Sequence, residues 1–296
     1  MNNIEREIKY MAQVVEQELR RYLPEKDEFP SKLHEAMHYS TLSGGKRLRP
    51  IMVMKAAEFF GMPYEKVMPT ACGIEMIHTY SLIHDDLPVM DNDDFRRGKP
   101  TCHKVYGDSL ALLAGDALLT HAFSTIAKNS KIEDILSDAV IDVIEKVSLA
   151  AGGYGMIGGQ TVDIATVGKD VSLDTLFYIS SHKTGSLISI SLWSGARLAG
   201  ASKVDLEAIK SFGKKIGLIF QIVDDILDIK GDEIILGKPV GSDVKNMKNT
   251  FVHLYGYDNS IKLVEKLSFE AKELLSNYKN NDFFIQLTDF ISKRNY

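Results

Sequence analysis

Two acidic clusters stand out in the 296-residue sequence because each lies within an apolar stretch. The first is HTYSLIHDDLPVMDNDD, from His78 to Asp94, and the second is QIVDDILD, from Gln221 to Asp228. Carboxylates are costly to bury in an apolar helix unless something compensates their charge. Oxygen ligands of this kind suit magnesium, which keeps several waters and shares its coordination with substrate phosphates. The two clusters therefore favour magnesium ligands over solvated helix caps.

The spacing within each cluster is informative. The second cluster puts four polar residues at i, i+3, i+4 and i+7 on one helical stripe, namely Gln221, Asp224, Asp225 and Asp228. Carboxylates on one stripe repel each other unless a cation lies between them. In the first cluster, Asp85 and Asp91 would lie on different faces of an unbroken helix. Pro88 lies between them and cannot sustain a regular helix, so we expect a kink that returns Asp91 toward Asp85.

Basic residues follow the same segments, and magnesium implies an anionic ligand. Arginine forks and lysine point charges are the usual partners of phosphate oxygens. The Gly44–Gly45 pair precedes a basic run and predicts a phosphate-gripping loop, although it could be no more than a turn. The cations concerned are Lys46, Arg47, Arg49, Arg96, Arg97, Lys183, Lys238 and Lys248.

A 3.6-residue apolar period predicts helices along nearly the whole chain, with strands few or absent. No linker or low-complexity tract divides the sequence, so residues 1–296 are interpreted as one all-α domain. Long polar loops are expected at Ser43–Pro50, Asn92–Tyr106 and Gly231–Thr250. The predicted helices are Ile4–Leu23, Lys32–Leu42, Ile51–Phe60, Glu65–Leu87, Ser109–Lys128, Ile132–Ala151, Leu173–Leu198, Val204–Ile229, Asn259–Tyr278 and Asp282–Lys293.

Composition excludes several classes of protein. The formal net charge of −5 gives no basic excess to hold a nucleic-acid backbone. The two cysteines, Cys72 and Cys102, cannot form a disulfide framework and fit a reduced cytoplasmic protein. The longest uncharged stretches, Ser148–Val162 and Thr184–Ala196, are too short to span a bilayer. We therefore expect a cytoplasmic protein without membrane insertion.

Five motifs occur in the order seen in trans-isoprenyl diphosphate synthases, and the chain most resembles the bacterial farnesyl diphosphate synthases. The motifs are GGKRLRP, DDLPVMD followed by RRG, GGQTVD, HKTG and FQIVDDILD. The resemblance extends from about Ile4 to Tyr296. It implies the isoprenoid synthase fold, in which long helices surround a central cavity, and a homodimer. It also implies magnesium-dependent, head-to-tail condensation of isopentenyl diphosphate with dimethylallyl and geranyl diphosphate.

The resemblance also implies roles for individual residues. Three magnesium ions per active site, replaceable by manganese, would be bound by Asp85, Asp91 and Asp224, with Asp86, Asp225 and Asp228 as outer ligands or supporting groups. Isopentenyl diphosphate would be held by Gly45, Lys46, Arg49, His78 and Arg97. The allylic diphosphate and its reacting carbons would be held by Arg96, Lys183, Thr184, Gln221, Lys238 and Lys248. His78 and Asp85 are about 10 Å apart along one helix face, which suits two adjacent diphosphates.

Product length is predicted from Tyr80, with Ser81 beside it. Tyr80 lies about 7.5 Å along the helix from Asp85, where a ring could stop the growing chain. In the family, an aromatic residue there, together with two extra residues in the first motif, accompanies a fifteen-carbon product. Both features occur here, although Tyr80 could also be an ordinary core aromatic.

Other functions remain as alternatives. A geranylgeranyl diphosphate synthase would share all of the motifs. A terpene cyclase would lack the second diphosphate pocket, and a non-catalytic partner subunit would lose the second acidic motif. Arg294 near the C-terminus resembles a basic tail that closes over the site, or it belongs to a frayed end.

Overall fold

The computed structural model describes residues 3–230 and 249–293, which fall into two compact units. The first unit comprises residues 1–144 and the second comprises residues 145–296. Within the described residues, helices account for nearly all of the regular structure, and the only strands form one short antiparallel pair. The predicted all-α class is therefore confirmed.

The first unit is built from helices joined by short connections. A 3₁₀ turn covers Tyr64–Val67, another covers Lys128–Lys131, and the unit boundary falls inside α7. The elements are α1 (Asn3–Tyr22), α2 (Ser31–Thr41), α3 (Leu48–Phe59), α4 (Met68–Asp85), β1 (Phe95–Arg96), β2 (Lys99–Pro100), α5 (Cys102–Tyr106), α6 (Asp108–Ala127) and α7 (Ser137–Ala151).

Helix α4 is buried on most of its sides, as expected for a helix that is apolar on most faces. It packs against α6, and Gly73 allows the two helices to approach closely. A Cβ atom at Gly73 would lie 2.6 Å from Cγ1 of Ile126 and 2.8 Å from the carbonyl oxygen of Ala122. The helix predicted over Glu65–Leu87 is shorter in the structure, because its first residues form the 3₁₀ turn and it ends at Asp85.

The second unit contains the long helix α11, which contacts α10, α13 and α14. Its inward side is fully buried, and this apolar stripe explains why a helix of 28 residues is stable here. The elements of this unit are α8 (Met156–Ala165), α9 (Leu173–Ile179), a π-helix (Ser180–Gly185), α10 (Ser186–Leu198), α11 (Lys203–Lys230), α12 (Phe251–Tyr255), α13 (Tyr257–Leu274) and α14 (Asp282–Ser292).

The helix predicted over Leu173–Leu198 is confirmed at both ends, and its middle forms the π-helix that lies between α9 and α10. Two neighbouring helices approach this π-helix through glycine. A Cβ atom at Gly159 of α8 would lie 2.2 Å from the backbone nitrogen of Lys183. A Cβ atom at Gly217 of α11 would lie 2.5 Å from Cα of Gly185. A π-helical turn is only slightly wider than an α-helical one and barely changes the side-chain periodicity, so the sequence pattern did not predict the π-helix.

Three short helices were also absent from the sequence prediction: α5, α8 and α12. Helix α8 lies in the glycine-rich stretch and contacts the π-helix at Gly159, where a larger side chain would prevent the approach. Glycine lowers helix propensity, and therefore the tertiary contact rather than propensity accounts for this helix.

One segment, Asp108–Lys131, is long and apolar enough to cross a membrane by length and composition alone, and 39% of its apolar window is buried. The sequence prediction counted only uncharged stretches and passed over this one because of Asp108 and Asp116. Core helices of soluble proteins pass the same test, and α6 packs against α4 and α2.

Candidate functional site

The first acidic cluster lies where helix α4 ends. Asp85 is the last residue of α4, and Pro88 lies in the turn that follows. The backbone N–H of Asp91 donates to the carbonyl oxygen of Asp85 at 2.9 Å, which closes a short loop. Proline cannot continue the helix because it has no N–H and a fixed φ angle. The expected return of Asp91 toward Asp85 is therefore confirmed, with the helix ending rather than kinking.

Asp86 differs from Asp85 in being buried and paired. Only 3% of Asp86 is exposed, whereas Asp85 is partly exposed. Nε of Arg96 donates to both carboxylate oxygens of Asp86, at 2.7 and 2.9 Å, and Nη2 donates to one of them. Burial raises the pKa of Asp86, and the contact with Arg96 opposes that increase. Asp86 therefore holds the Arg96 guanidinium beside the acidic turn.

A tight hairpin carries the two consecutive arginines. Arg96 pairs with Lys99 in the antiparallel register, so Arg97 and Gly98 form the connecting turn. Both turn residues have positive φ angles, 53° and 73°, as a type I′ turn requires. The Arg-Arg-Gly motif is thus explained locally, because glycine adopts this conformation without steric cost.

The side chain of Arg97 packs against the Gly44–Gly45 pair. Nη1 of Arg97 donates to the carbonyl oxygen of Gly44. A Cβ atom on Gly45 would lie 2.5 Å from Cζ of Arg97, which is closer than real Cβ contacts. Gly45 also has a φ of 119°, which side-chain-bearing residues rarely adopt. This loop is therefore more than a turn, and the exposed Lys46 follows it directly.

Arg47 has a structural role that sequence reasoning missed. Its side chain is fully buried and donates to Glu75 at 2.6 Å, to Glu16 at 3.2 Å and to the carbonyl oxygen of Thr41 at 2.6 Å. Glu75 is itself 1% exposed within α4. A carboxylate in the middle of an apolar helix requires a buried cation, and this was the signal that could have identified Arg47.

His78 lies among the cations of the first unit. Nη1 of Arg49 lies 3.3 Å from Nε2 of His78. Arginine can only donate, so Nε2 accepts and the ring proton lies on Nδ1. Burial lowers the pKa of His78 well below its usual value of 6.5, and the positive charges of Arg49 and Arg97 lower it further. His78 is therefore neutral at pH 7, within a region of concentrated positive charge.

Tyr80 lies in α4, five residues before Asp85, and only 5% of it is exposed. Its ring contacts His84 edge-on, with 5.6 Å between the ring centroids. Its hydroxyl has no hydrogen-bond partner within the part of the chain that the structure describes. Burial raises the pKa of Tyr80 to about 12, with a smaller contribution from Asp85. The neighbouring Ser81 hydroxyl donates to the carbonyl oxygen of His78 at 2.9 Å.

In the second unit, the π-helix presents Lys183 and Thr184. Nζ of Lys183 donates to a carboxylate oxygen of Asp163 at 2.6 Å, and both side chains are partly exposed. Asp163 closes the GGQTVD motif but was assigned no role from the sequence. Gly159 of the same motif packs closely against the backbone of Lys183. The motif therefore contacts this lysine twice, through the backbone at Gly159 and through the ion pair with Asp163.

A chain of hydrogen bonds connects the π-helix with the second acidic cluster. The Thr184 hydroxyl donates to Oε1 of Gln221 at 3.0 Å, and Nε2 of Gln221 donates to Oδ1 of Asp225 at 2.8 Å. Oδ2 of Asp225 accepts the backbone N–H of Phe251 at 2.8 Å. The structure therefore brings together three of the predicted site residues and adds Phe251, which no sequence pattern indicated.

The acidic stripe of α11 divides by burial. Asp225 and Asp228 are 3% and 1% exposed, whereas Asp224 is partly exposed. Among the described residues, no three or more His, Cys, Asp or Glu side chains are grouped closely enough to hold a metal ion by themselves. The accessible carboxylates nevertheless suit magnesium, which takes one or two carboxylates together with substrate phosphates and water. The residues that fit such ions are Asp85, Asp91 and Asp224.

Three predicted residues, Lys238, Lys248 and Arg294, lie outside the described residues.

The polyprenyl synthetase family model matches residues 30–282. A farnesyl diphosphate synthase from Geobacillus stearothermophilus is 45% identical over 280 residues, which cover 95% of this chain and 93% of that protein. A geranylgeranyl diphosphate synthase from Cyanophora paradoxa is 45% identical over 285 residues, covering 96% of this chain and 94% of that protein.

Solved structures agree with the sequence relatives. The apo crystal structure of an FPP/GFPP synthase from Zymomonas mobilis superposes with a TM-score of 0.87 at 34% identity, covering 98% of this chain and 99% of that one. Geranylgeranyl pyrophosphate synthetase from Pyrococcus horikoshii gives a TM-score of 0.88 at 30% identity, with 98% of each chain covered. These similarities extend over both units of the chain.

Proposed function

Because the chain belongs to the polyprenyl synthetase family, we propose that it is a magnesium-dependent farnesyl diphosphate synthase. It is a prenyltransferase of the farnesyl or geranylgeranyl diphosphate synthase type, and relatives with both names match nearly its whole length. In the proposed reaction, isopentenyl diphosphate condenses with dimethylallyl diphosphate and then with geranyl diphosphate, and each step releases diphosphate.

The cations around His78 are the observation that carries this proposal. Nη1 of Arg49 lies 3.3 Å from Nε2 of His78, and the pKa of His78 is lowered by burial and then by the positive charges of Arg49, Arg97 and Arg96. Such a concentration of cations favours an anionic ligand. The diphosphate of isopentenyl diphosphate supplies such an anion, held by Lys46, Arg49 and Arg97. Neutral His78 completes the pocket because its Nδ1–H can donate to phosphate without adding charge.

Magnesium would be held by Asp85 and Asp91 in the first unit and by Asp224 in the second, with manganese as a substitute. When bound, these ions neutralise the charge that develops on the leaving diphosphate. In each unit a cation would also act on a diphosphate: Arg96 in the first unit, kept in place by Asp86, and Lys183 in the second, kept in place by Asp163. Lys238 and Lys248 remain predictions from the sequence.

The reacting carbons need dipoles and an apolar environment rather than a protein base. Departure of diphosphate leaves an allylic cation, which water would convert to an alcohol. The Thr184 hydroxyl, oriented by its bond to Gln221, presents its oxygen lone pairs as a dipole toward positive charge. The departed diphosphate can accept the proton that is lost in the last step.

The burial of Tyr80 and the spacing of the first acidic motif support farnesyl diphosphate as the product. The ring is buried on α4, and Leu87 to Met90 separate Asp86 from Asp91, as the fifteen-carbon pattern requires. The elongating hydrocarbon avoids charge and extends along apolar walls, where a buried ring acts as a floor. A geranylgeranyl diphosphate synthase is the second candidate, because relatives of that name are equally similar.

A homodimer is proposed on the basis of helix α6. Less than half of its apolar window is buried, and Leu112 and Leu113 are 45% and 54% exposed. An apolar helix face of this kind is typical of an interface between copies. We place the protein in the cytoplasm, without nucleic-acid binding and without insertion into a membrane.

The deciding experiment is an assay of the purified chain alone with isopentenyl diphosphate, magnesium and each allylic diphosphate. Chromatography of dephosphorylated products should show mainly farnesol from either starter. Mainly geranylgeraniol would support the second candidate. A cyclised hydrocarbon formed without isopentenyl diphosphate would indicate a terpene cyclase, and no turnover without another protein would indicate a partner subunit.

A further inference from the structure

The carboxylate of Asp225 is engaged by the protein on both oxygens. Nε2 of Gln221 donates to Oδ1 and the backbone N–H of Phe251 donates to Oδ2, each at 2.8 Å. Only 3% of Asp225 is exposed, whereas the adjacent Asp224 is partly exposed. A magnesium ligand in this family of sites must reach water and substrate phosphate, and a buried carboxylate with two N–H donors does not offer that access.

The bond from Gln221 to Asp225 determines how the amide is oriented. An amide can present either its oxygen or its nitrogen to a neighbour, but an ionised carboxylate only accepts. Nε2 must therefore face Asp225, which turns Oε1 toward Thr184. The Thr184 hydroxyl then donates its proton to Oε1, and its lone pairs remain available to a developing positive charge.

The second oxygen of Asp225 anchors another element. Phe251 is the first residue of α12, and its ring contacts Phe177 of α9 edge-on, with 5.1 Å between centroids. Helix α9 continues directly into the π-helix that carries Thr184. The Asp225 carboxylate is therefore linked to Thr184 in two ways. One link passes through the Gln221 side chain, and the other passes through Phe251 and its ring contact with α9.

From these contacts we propose that Asp225 is a positioning residue, which orients the Gln221 amide and through it the Thr184 hydroxyl, and that it does not bind magnesium. On this proposal the two adjacent residues have different roles. Asp224 would bind the ion, and Asp225 contacts Gln221 and the backbone of Phe251. This inference rests on the proposed function, since Thr184 acts on the allylic substrate.

The test compares Asp225→Asn with Asp224→Asn, which changes the neighbouring residue in the same way. Asparagine has only one acceptor oxygen, so Asp225→Asn keeps one of the two contacts and should lower the unfolding midpoint of the metal-free protein by about 2–5 °C. Its kcat should fall about tenfold to a hundredfold, while the magnesium concentration for half-maximal rate stays within about twofold. Asp224→Asn should raise that magnesium concentration at least tenfold.

A calorimetric titration of magnesium in the presence of inorganic diphosphate supplies a readout that needs no turnover. Weakened magnesium binding in Asp225→Asn, equal to that in Asp224→Asn, would overturn the proposal. If wild type binds magnesium and diphosphate but makes no prenyl product, the proposed function has failed, while the titration and the unfolding midpoints still decide the role of Asp225.

The variant Gln221→Leu tests the same chain of hydrogen bonds without altering a carboxylate. It should lower kcat with unchanged magnesium dependence. Combined with Asp225→Asn, it should lower kcat no further than the more severe single change, because both act through the amide. Losses that multiply in the double variant would show independent roles and contradict the proposal.

Discussion

Two Asp–Asp pairs, Asp85–Asp86 and Asp224–Asp225, occupy different backbone settings, one in each unit. Asp85 and Asp86 stand at the end of α4, where Pro88 ends the helix and returns Asp91. Asp224 and Asp225 lie within α11. In both pairs the first aspartate is partly exposed and the second is 3% exposed. Burial of the second member is thus common to both, although the backbone around it is not.

The buried aspartates differ in what neutralises them. Asp86 accepts from the guanidinium of Arg96, so a full positive charge compensates it. Asp225 accepts from a side-chain amide and a backbone N–H, which are neutral. Arg96 adds a positive charge beside Asp86, whereas the two donors to Asp225 add none. The first region therefore has a cation next to its buried aspartate, and the second has a neutral hydrogen-bond chain that leads to Thr184.

The largest expected effect comes from removing the exposed member of each pair. Asp85→Ala and Asp224→Ala should each reduce kcat by roughly 10²–10³-fold, as expected when one preorganised electrostatic group at the reacting centre is lost. Steady-state assays at saturating magnesium measure this, and unfolding midpoints should match wild type. Wild-type activity in either variant would mean that the two clusters are not equivalent metal sites.

A smaller effect separates the two regions by substrate. Arg49→Ala should raise KM for isopentenyl diphosphate by about ten- to a hundredfold, since a hydrogen bond to a charged group is worth about 1.5–3 kcal/mol. Lys183→Ala should raise KM for geranyl diphosphate instead. Each variant is the control for the other, and equal changes in both constants would show that the two pockets are wrongly assigned.

The next prediction concerns pH and the first region only. Because the pKa of His78 is lowered in the folded protein, the unfolded chain takes up a proton that the folded chain does not. Stability should therefore be fully present above pH 6.5 and fall below it, by at most about 1.4 kcal/mol per pH unit. Urea unfolding of wild type and His78→Gln at pH 7.5, 6.0 and 5.0 measures this contribution.

Glutamine keeps an acceptor for Arg49 but does not titrate, so the wild-type decrease between pH 6.5 and pH 5.0 should be larger than that of His78→Gln. Identical pH dependence in the two proteins would show that His78 is not protonated on unfolding in this range, against the burial and positive charge found around it.

The smallest effect on rate, but the clearest on product, is expected at Tyr80. Tyr80→Ala should lengthen the main product from fifteen carbons to twenty or more, with kcat within about tenfold of wild type, because the residue is away from the reacting carbons. Tyr80→Phe is the matched control: the hydroxyl has no partner among the described residues, so its loss should leave the product unchanged. If Tyr80→Ala still makes farnesyl diphosphate, the Tyr80 ring does not limit the length of the product.

Sequence reasoning succeeded where a local rule was sufficient. The proline-terminated helix before Asp91 followed from the chemistry of one residue. The boundaries of α11 agree with its apolar pattern to within one residue at each end. The π-helix was missed, because it depends on contacts that Gly159 and Gly217 make possible from elsewhere in the chain.

The same limit applies to the charged residues. Arg47 and Arg49 are two positions apart, and their residue type and charge do not distinguish them. Arg47 is buried against Glu75, while Arg49 faces His78. The position of α4 beside α3 decides which arginine neutralises a core carboxylate and which contacts His78.

By itself, the sequence determined the all-α class, the acidic stripe of α11, the interruption at Pro88 and the family, because periodicity, proline and ordered motifs are properties of the chain alone. The tertiary structure decided which aspartate of each pair is buried and what it binds. Asp225 meets the backbone of Phe251, 26 residues later, and Arg47 meets Glu75, 28 residues later. Such contacts depend on how helices pack, and packing decides which of two identical neighbouring side chains is buried and which stays partly exposed.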